Sequence, residues 1–142
     1  MADYNAALAV SRALHGVLAS DINIQDQLGV PPRLYDDAPE DPIFPYLTYG
    51  PMRSEDISAQ GAIITSHVLS LHIWSRYSGR AELLTLLGLI SGSVSHNAMP
   101  LDGANLVTRR VTFTDIFRAA DGLTQHGVVR LRLITERALE SL

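Results

Sequence analysis

The sequence contains no cysteine and no lysine. Without cysteine, the chain forms no disulfide and offers no thiolate to a metal ion. Without lysine, all 11 basic residues are arginine. Arginine is enriched at protein interfaces, where its guanidinium pairs with carboxylates, whereas lysine is depleted there. The composition therefore suits an interaction protein, although GC-rich coding would also remove lysine.

Long apolar runs are missing as well. No run approaches the ~20 residues that a membrane helix needs. The start of the chain lacks the basic segment and apolar core of a signal peptide, so we expect a cytoplasmic origin. At 142 residues, 46% hydrophobic and 18% charged, the chain suits one folded domain over residues 1–142.

Charge is distributed unevenly along the chain. Residues 1–56 carry three arginines and nine acids, a net of −6, and residues 57–142 carry eight arginines and six acids, a net of +2. An acidic half and a basic half on one subunit would favour head-to-tail association of identical copies. The overall charge of −4 argues against a general nucleic-acid binder, which is normally basic.

Hydrophobic periodicity and turn residues predict an α+β fold in the order α-β-β-β-α-β-β. The predicted elements are a helix at 4–19 capped by Asp3, a possible turn of helix at 22–28, strands at 33–35, 45–50 and 64–76, a helix at 79–97, and strands at 106–118 and 125–136. About four long strands should form an antiparallel sheet with two helices on one face. Residues 54–62 lack periodicity and are predicted to be a mobile hairpin loop, and residues 137–142 a C-terminal tail.

No group of reactive side chains has the spacing of a catalytic or metal site. His67 and His72 lie on opposite faces of one strand, because they are five residues apart, and so cannot bind a metal together. Ser91-Gly92-Ser93 lies within a predicted helix and lacks the strand–turn–helix setting of a nucleophilic serine. We therefore expect no enzymatic activity, no metal and no cofactor.

The two strongest strands place an unusual mixture on the sheet face that the helices would leave open. Alternation puts apolar residues and two arginines there, namely Val68, His72, Trp74, Val128, Arg130, Arg132 and Ile134. An open sheet face usually alternates to polar residues, so this mixture predicts a contact surface. The alternative is that loops, or the strand region at 33–50, cover it within one chain. Glu55, Asp56 and Arg109 complete the predicted protein interface.

Several short segments resemble one family of phage proteins, the tail terminators of long-tailed phages and gene transfer agents. The most characteristic segment is His72-Ile73-Trp74-Ser75 before the second helix. The other matching segments, in the same order and spacing, are Arg33–Asp36, Phe44–Leu47, Gly79–Glu82, Asp115–Arg118, Ala120–Gly122 and His126–Arg130. The first predicted helix also lies where the family has one, so the resemblance extends over roughly residues 4–136.

The resemblance implies a structural virion-type protein without catalytic residues. Such proteins form a hexameric ring at the head-proximal end of the tail tube, stop polymerisation of the tube protein and join the tail to the neck. The implied partners are further copies of the chain, the major tail tube protein and a neck or head-completion protein, with DNA passing through the lumen without specific binding. The implied location is the bacterial cytoplasm during assembly and then the tail of a phage or gene transfer agent particle.

Two other functions stay open at this point. A head–tail connector subunit would also form a ring, but on the portal side. A small-ligand-binding regulator of α+β fold would need a closed pocket and would be expected to dimerise.

Overall fold

The structure is a computed structural model that describes residues 4–138. Its helices are α1 (Tyr4–Ser20), α2 (Ile22–Leu28) and α3 (Ala81–His96), and its strands are β1 (Leu34–Tyr35), β2 (Tyr46–Asp56), β3 (Ile64–Ser75), β4 (Ala104–Arg118) and β5 (Gln125–Arg137). Within the described residues, no helix is both long and apolar enough to cross a membrane.

The five strands form one mixed sheet in the order β1-β2-β3-β5-β4. β1 runs parallel to β2, and every other neighbouring pair is antiparallel. β4 and β5 form a long hairpin whose register shifts twice, between Leu106 and Thr108 and again between Val111 and Phe113. The predicted α+β class is confirmed, and the short strand β1 adds a parallel edge to the antiparallel sheet.

One hydrophobic core lies between the sheet and the helices. The helices contribute apolar residues at helical spacing, and β3 and β5 contribute every second residue. The central core residues are Val10, Leu14 and Leu18 of α1, Leu83, Leu86 and Ile90 of α3, Leu69, Leu71 and Ile73 of β3, and Val129, Leu131 and Leu133 of β5. The strand and helix stripes predicted from the sequence therefore pack against each other.

α2 makes the helical layer three helices instead of the predicted two. Asp21 caps it, because its Oδ1 accepts hydrogen bonds from the backbone N–H groups of Asn23 (2.9 Å) and Ile24 (3.4 Å). Ile24 and Leu28 are fully buried in the core. A helix of seven residues is unstable alone, so this tertiary packing turns the predicted turn into a helix.

β2 is longer than predicted. The sequence indicated a strand at 45–50 and a loop at 54–62, whereas β2 continues to Asp56. A register shift between Tyr49 and Met52 accommodates the intervening residues, and Met52–Asp56 then pair with β3. The bulge interrupts the alternation from which a strand is recognised, so this part of β2 resembled a loop. The connection between β2 and β3 is reduced to residues 57–63.

Two of the predictions fall partly outside the described residues. Asp3, the expected cap of α1, lies outside them, and so do residues 139–142 of the predicted tail. Arg137, the first residue of that tail, is the last residue of β5.

His67 is fully buried on β3 and links three strands. Its Nδ1 lies 2.8 Å from Ser54 Oγ on β2, and its Nε2 lies 2.9 Å from Thr135 Oγ1 on β5. Both ring nitrogens therefore have a hydroxyl partner, as a buried polar side chain requires. His67 points to the helix side while His72 points to the other side, as the sequence predicted.

Substitution of Gly127 on β5 tests how closely α3 packs on this strand. A Cβ atom at this position would lie 2.9 Å from Leu83 Cδ1 and 3.2 Å from Leu83 Cγ. Because Leu83 is fully buried, Gly127→Val should lower the free energy of unfolding in urea by about 1–3 kcal/mol. Gly88→Ala, on the exposed side of α3 with open space around it, should instead raise that energy by up to ~1 kcal/mol. A Gly127→Val variant as stable as wild type would contradict the packing.

Candidate interaction surface

The outer face of the sheet, which points away from the helices, is largely exposed. β2 lies beside β3 in the sheet, and the segment before β2 reaches this face at one end, where the Phe44 ring lies 5.1 Å from that of Tyr46. Exposed side chains of the outer face include those of Arg53, Glu55, Thr108, Arg110, Phe113, Asp115, Phe117, Arg130 and Arg132. The outer face is thus an accessible surface of apolar and charged residues in which arginine predominates.

An aromatic row crosses one end of the outer face. Strand register places Tyr46 beside Trp74, Trp74 beside His126, and His126 beside Phe117. The Trp74 and His126 rings are stacked, with centroids 3.8 Å apart, and the His126 and Phe117 centroids are 4.6 Å apart. Trp74 Nε1 donates a hydrogen bond to Thr48 Oγ1 (3.0 Å), which fixes the ring orientation. The row is a rigid apolar platform with a polar rim.

His126 of this platform contacts a second histidine, His72, on the same face. His72 Nδ1 lies 2.7 Å from His126 Nε2, a distance at which one nitrogen donates and the other accepts. Burial lowers the pKa of His72, and the nearby Arg130 lowers it further. Burial together with the proximity of His72 lowers the pKa of His126 to about 4, although Asp115 acts in the opposite direction. Both imidazoles are therefore neutral near pH 7.

The middle of the outer face is basic. Arg130 Nε donates to Ser70 Oγ (3.2 Å), and Arg132 Nε donates to Ser66 Oγ (3.1 Å). The Arg130 guanidinium also lies over the ring of Phe113, 5.2 Å from its centroid. Both side chains are thereby laid across the sheet, which accounts for the burial of the two serines.

A shallow depression of about 320 Å³ adjoins the aromatic row at the end of the sheet. Its lining includes Glu40, Asp41, Phe44, Tyr46, Trp74 and Arg76. Arg76 Nη2 is 3.8 Å from Asp121 Oδ2, and its guanidinium lies over the ring of Phe44. The depression combines carboxylates with aromatic faces, a combination that suits a cationic side chain.

The structure brings together four of the predicted interface residues, His72, Trp74, Arg130 and Arg132, on the outer face. Glu55 lies on the same face at the far end, opposite Ser66.

Two predicted interface residues lie elsewhere. Asp56 closes the β2–β3 hairpin, where its Oδ1 accepts a hydrogen bond from the Ser58 backbone N–H (3.0 Å). Arg109 is on the helix side of β4, opposite Leu133, and donates a hydrogen bond to the Asn97 carbonyl at the end of α3. This hydrogen bond gives a partner to a backbone carbonyl at the C-terminal end of α3.

Sequence reasoning missed several members of the outer face, namely Tyr46, Arg110, Phe113, Phe117 and His126. They come from β2, β4 and β5, and only the register of these strands with one another places them together. One signal was available: Phe113 and Phe117 are four residues apart in the predicted strand at 106–118, a spacing that places both on one face. Within residues 4–138, no group of three or more potential ligands could hold a metal ion.

His126 should make folding sensitive to acid. The unfolded chain protonates this side chain near its ordinary pKa of 6.5, whereas the folded chain does so only near pH 4. The unfolded state therefore binds more protons in this window, and stability falls as pH drops from about 6.5 to about 4. His126→Gln should show a smaller loss of unfolding free energy between these two pH values in urea titrations. His96→Gln, at an exposed site on α3, is the control, and equal acid sensitivity in wild type and His126→Gln would contradict the assignment.

Comparisons with known proteins agree with this architecture. A chain of the solved virion of a native gene transfer agent particle is similar in structure, with a TM-score of 0.83 and 19% sequence identity. The match covers 94% of this chain and 99% of that chain, so the whole fold is shared. Comparison with curated proteins finds no significant match.

The family comparison identifies the chain. Residues 12–136 match the family described as tail completion protein gp17. The match covers the second half of α1, all of α2 and α3, and the five strands except the last residue of β5. The chain therefore belongs to the tail completion protein gp17 family, and its role is that of a structural protein of a phage-type tail.

Proposed function

We propose that the chain forms a homo-hexameric ring at the head-proximal end of a phage-type tail tube. The ring stops polymerisation of the tube protein and joins the tail to the neck or head. The observation that carries this proposal is membership of the tail completion family together with a largely exposed sheet face rich in aromatic and arginine side chains. A subunit that assembles by binding needs such a face, whereas an isolated sheet protein would expose polar residues there.

The role we propose is non-enzymatic. The polar contacts on the outer face hold aromatic and arginine side chains in position, as in the stacked Trp74 and His126 rings. The depressions found on the described residues are open and shallow, for example one of about 460 Å³ that is lined by residues of α1 and of the segment before β4. They do not resemble the closed pocket that a small-ligand regulator would need.

The β2–β3 hairpin is proposed to reach the lumen or the tube. Its tip, residues 57–63, extends beyond the sheet, and Glu55 and Asp56 stand at its base. A surface along the path of DNA should not bind phosphates tightly, because each arginine–phosphate contact adds affinity and would hinder passage. The net charge of −4 agrees with a ring that DNA crosses without specific binding.

Deleting the gene in a particle-producing strain tests the site of action. Without a terminator, tube growth has no stop, so negative-stain images should show overlong tubes and tails without heads. Supplying the wild-type chain in trans should restore normal length. Tails of normal length that fail only to attach to heads would overturn the terminator role and assign the chain to the head–tail connector instead.

Shortening the hairpin tests its proposed position. Replacing residues 58–63 with a two-residue Asn-Gly turn should preserve the sheet, because Asp56 pairs with Thr65 and the turn would then join Ile57 to Ile64 in the same register. We expect normal thermal unfolding of the purified chain but defective tails, either of irregular length or unable to deliver DNA. Particles with normal tail length and normal DNA delivery would show that the hairpin contacts neither the tube nor the lumen.

A further inference from the structure

The outer face holds three neighbouring arginines that form no ion pair within the described residues. Arg110 on β4 lies directly opposite Arg132 on β5, and Arg130 is two residues further along β5. Like charges directly opposite each other in a sheet are destabilising. Within residues 4–138, none of these three arginines has a carboxylate within ion-pair distance. We refer to Arg110, Arg130 and Arg132 as the arginine patch.

The opposite imbalance occurs in the segment between β1 and β2. Residues 36–41 contain four acids and no base, and all of them are exposed. Within the described residues, none of Asp36, Asp37, Glu40 and Asp41 has an arginine or histidine within ion-pair distance. Glu40 and Asp41 line the depression beside the aromatic row. We refer to residues 36–41 as the acidic loop.

The two charged regions cannot neutralise each other within one chain. Glu40 and Asp41 line the depression together with Trp74, at the aromatic end of the sheet. Trp74 pairs with His126 on β5, so the acidic rim lies near His126. Arg130 and Arg132 lie further along β5, about 14 and 20 Å from His126 at ~3.4 Å per residue. The arginines are also held flat by their bonds to Ser70 and Ser66, so they cannot reach back.

We infer that the acidic loop of one copy docks on the arginine patch of the next copy. This contact deepens the proposed ring and rests on it. It joins two different surfaces, so it is head-to-tail, and repetition of a head-to-tail contact closes a ring when the rotation between successive copies completes one full turn. Carboxylates from a neighbour would separate the charges of Arg110 and Arg132, and guanidinium forks pair well with carboxylates at interfaces. The aromatic depression beside the loop adds apolar area to the same contact.

Charge reversal on each side tests the contact. Variant A is Arg110→Glu with Arg132→Glu, and variant B is Glu40→Arg with Asp41→Arg. Each variant alone places like charges against each other, so the ring fraction in native mass spectrometry should fall at least about tenfold at equal concentration. The matched controls reverse exposed charges elsewhere, with Arg12→Glu plus Arg80→Glu for A and Asp26→Arg plus Asp102→Arg for B, and should still form rings.

Mixing A with B gives a result that general disruption cannot produce. The normal loop of A fits the normal patch of B, and the reversed loop of B fits the reversed patch of A. The mixture should therefore recover rings in which A and B alternate. A single chain that carries the substitutions of both A and B should also form rings by itself. Circular dichroism of each variant checks that the monomer is folded.

The outcomes separate this contact from the proposed function. A wild-type chain that stays monomeric at low salt would overturn the ring and this contact with it. Wild-type rings that A and B leave intact would overturn the contact alone. If A keeps its rings but binds duplex DNA less tightly than wild type, the arginine patch contacts phosphates and the inference is wrong. Loss of rings in A and B without recovery on mixing would also contradict it.

Discussion

The structure depends on the alternation of side chains along β3 and β5, the two central strands. One set of alternate residues, which includes Leu71 and Val129, is buried under the helices. Because the period of a strand is two, the other set must point away from the helices. Burial of the first set fixes the register and twist of the whole sheet, and with them the positions of every group on the outer face. The surface that is available for binding is therefore set by the packing of the core.

This dependence explains how the side chains of the outer face are held in place although most of the face is exposed. His67 holds β2, β3 and β5 together from the buried side. On the open side, hydrogen bonds and ring stacking hold long side chains that would be mobile without these contacts. A surface that is ordered before binding loses less conformational entropy when a partner arrives. Such preorganisation suits a structural subunit of a tail assembly.

Much of this arrangement could be predicted from the sequence, because β3 and β5 are central and regular. Their alternation correctly separated His67 from His72 and placed Trp74 and Arg130 on the same face. Prediction failed where a strand is irregular, and where the position of a side chain depends on the register with a partner strand. The bulge after Tyr49 concealed half of β2, and the shifts in β4 put Arg109 on the helix side and its neighbour Arg110 on the open side. The aromatic row was also out of reach, since it takes one residue from each of four strands.

The two register shifts in β4 have a consequence for assembly. β4 is an edge strand of 15 residues, and a straight edge of that length would accept any exposed strand that approached it. Bulges kink and twist such an edge, so its free backbone groups no longer form a flat row that a second strand could follow. A subunit with the proposed task of ending a growing polymer has a particular need for this protection. Irregular pairing in β4 would keep such a subunit from seeding an open-ended fibre of its own.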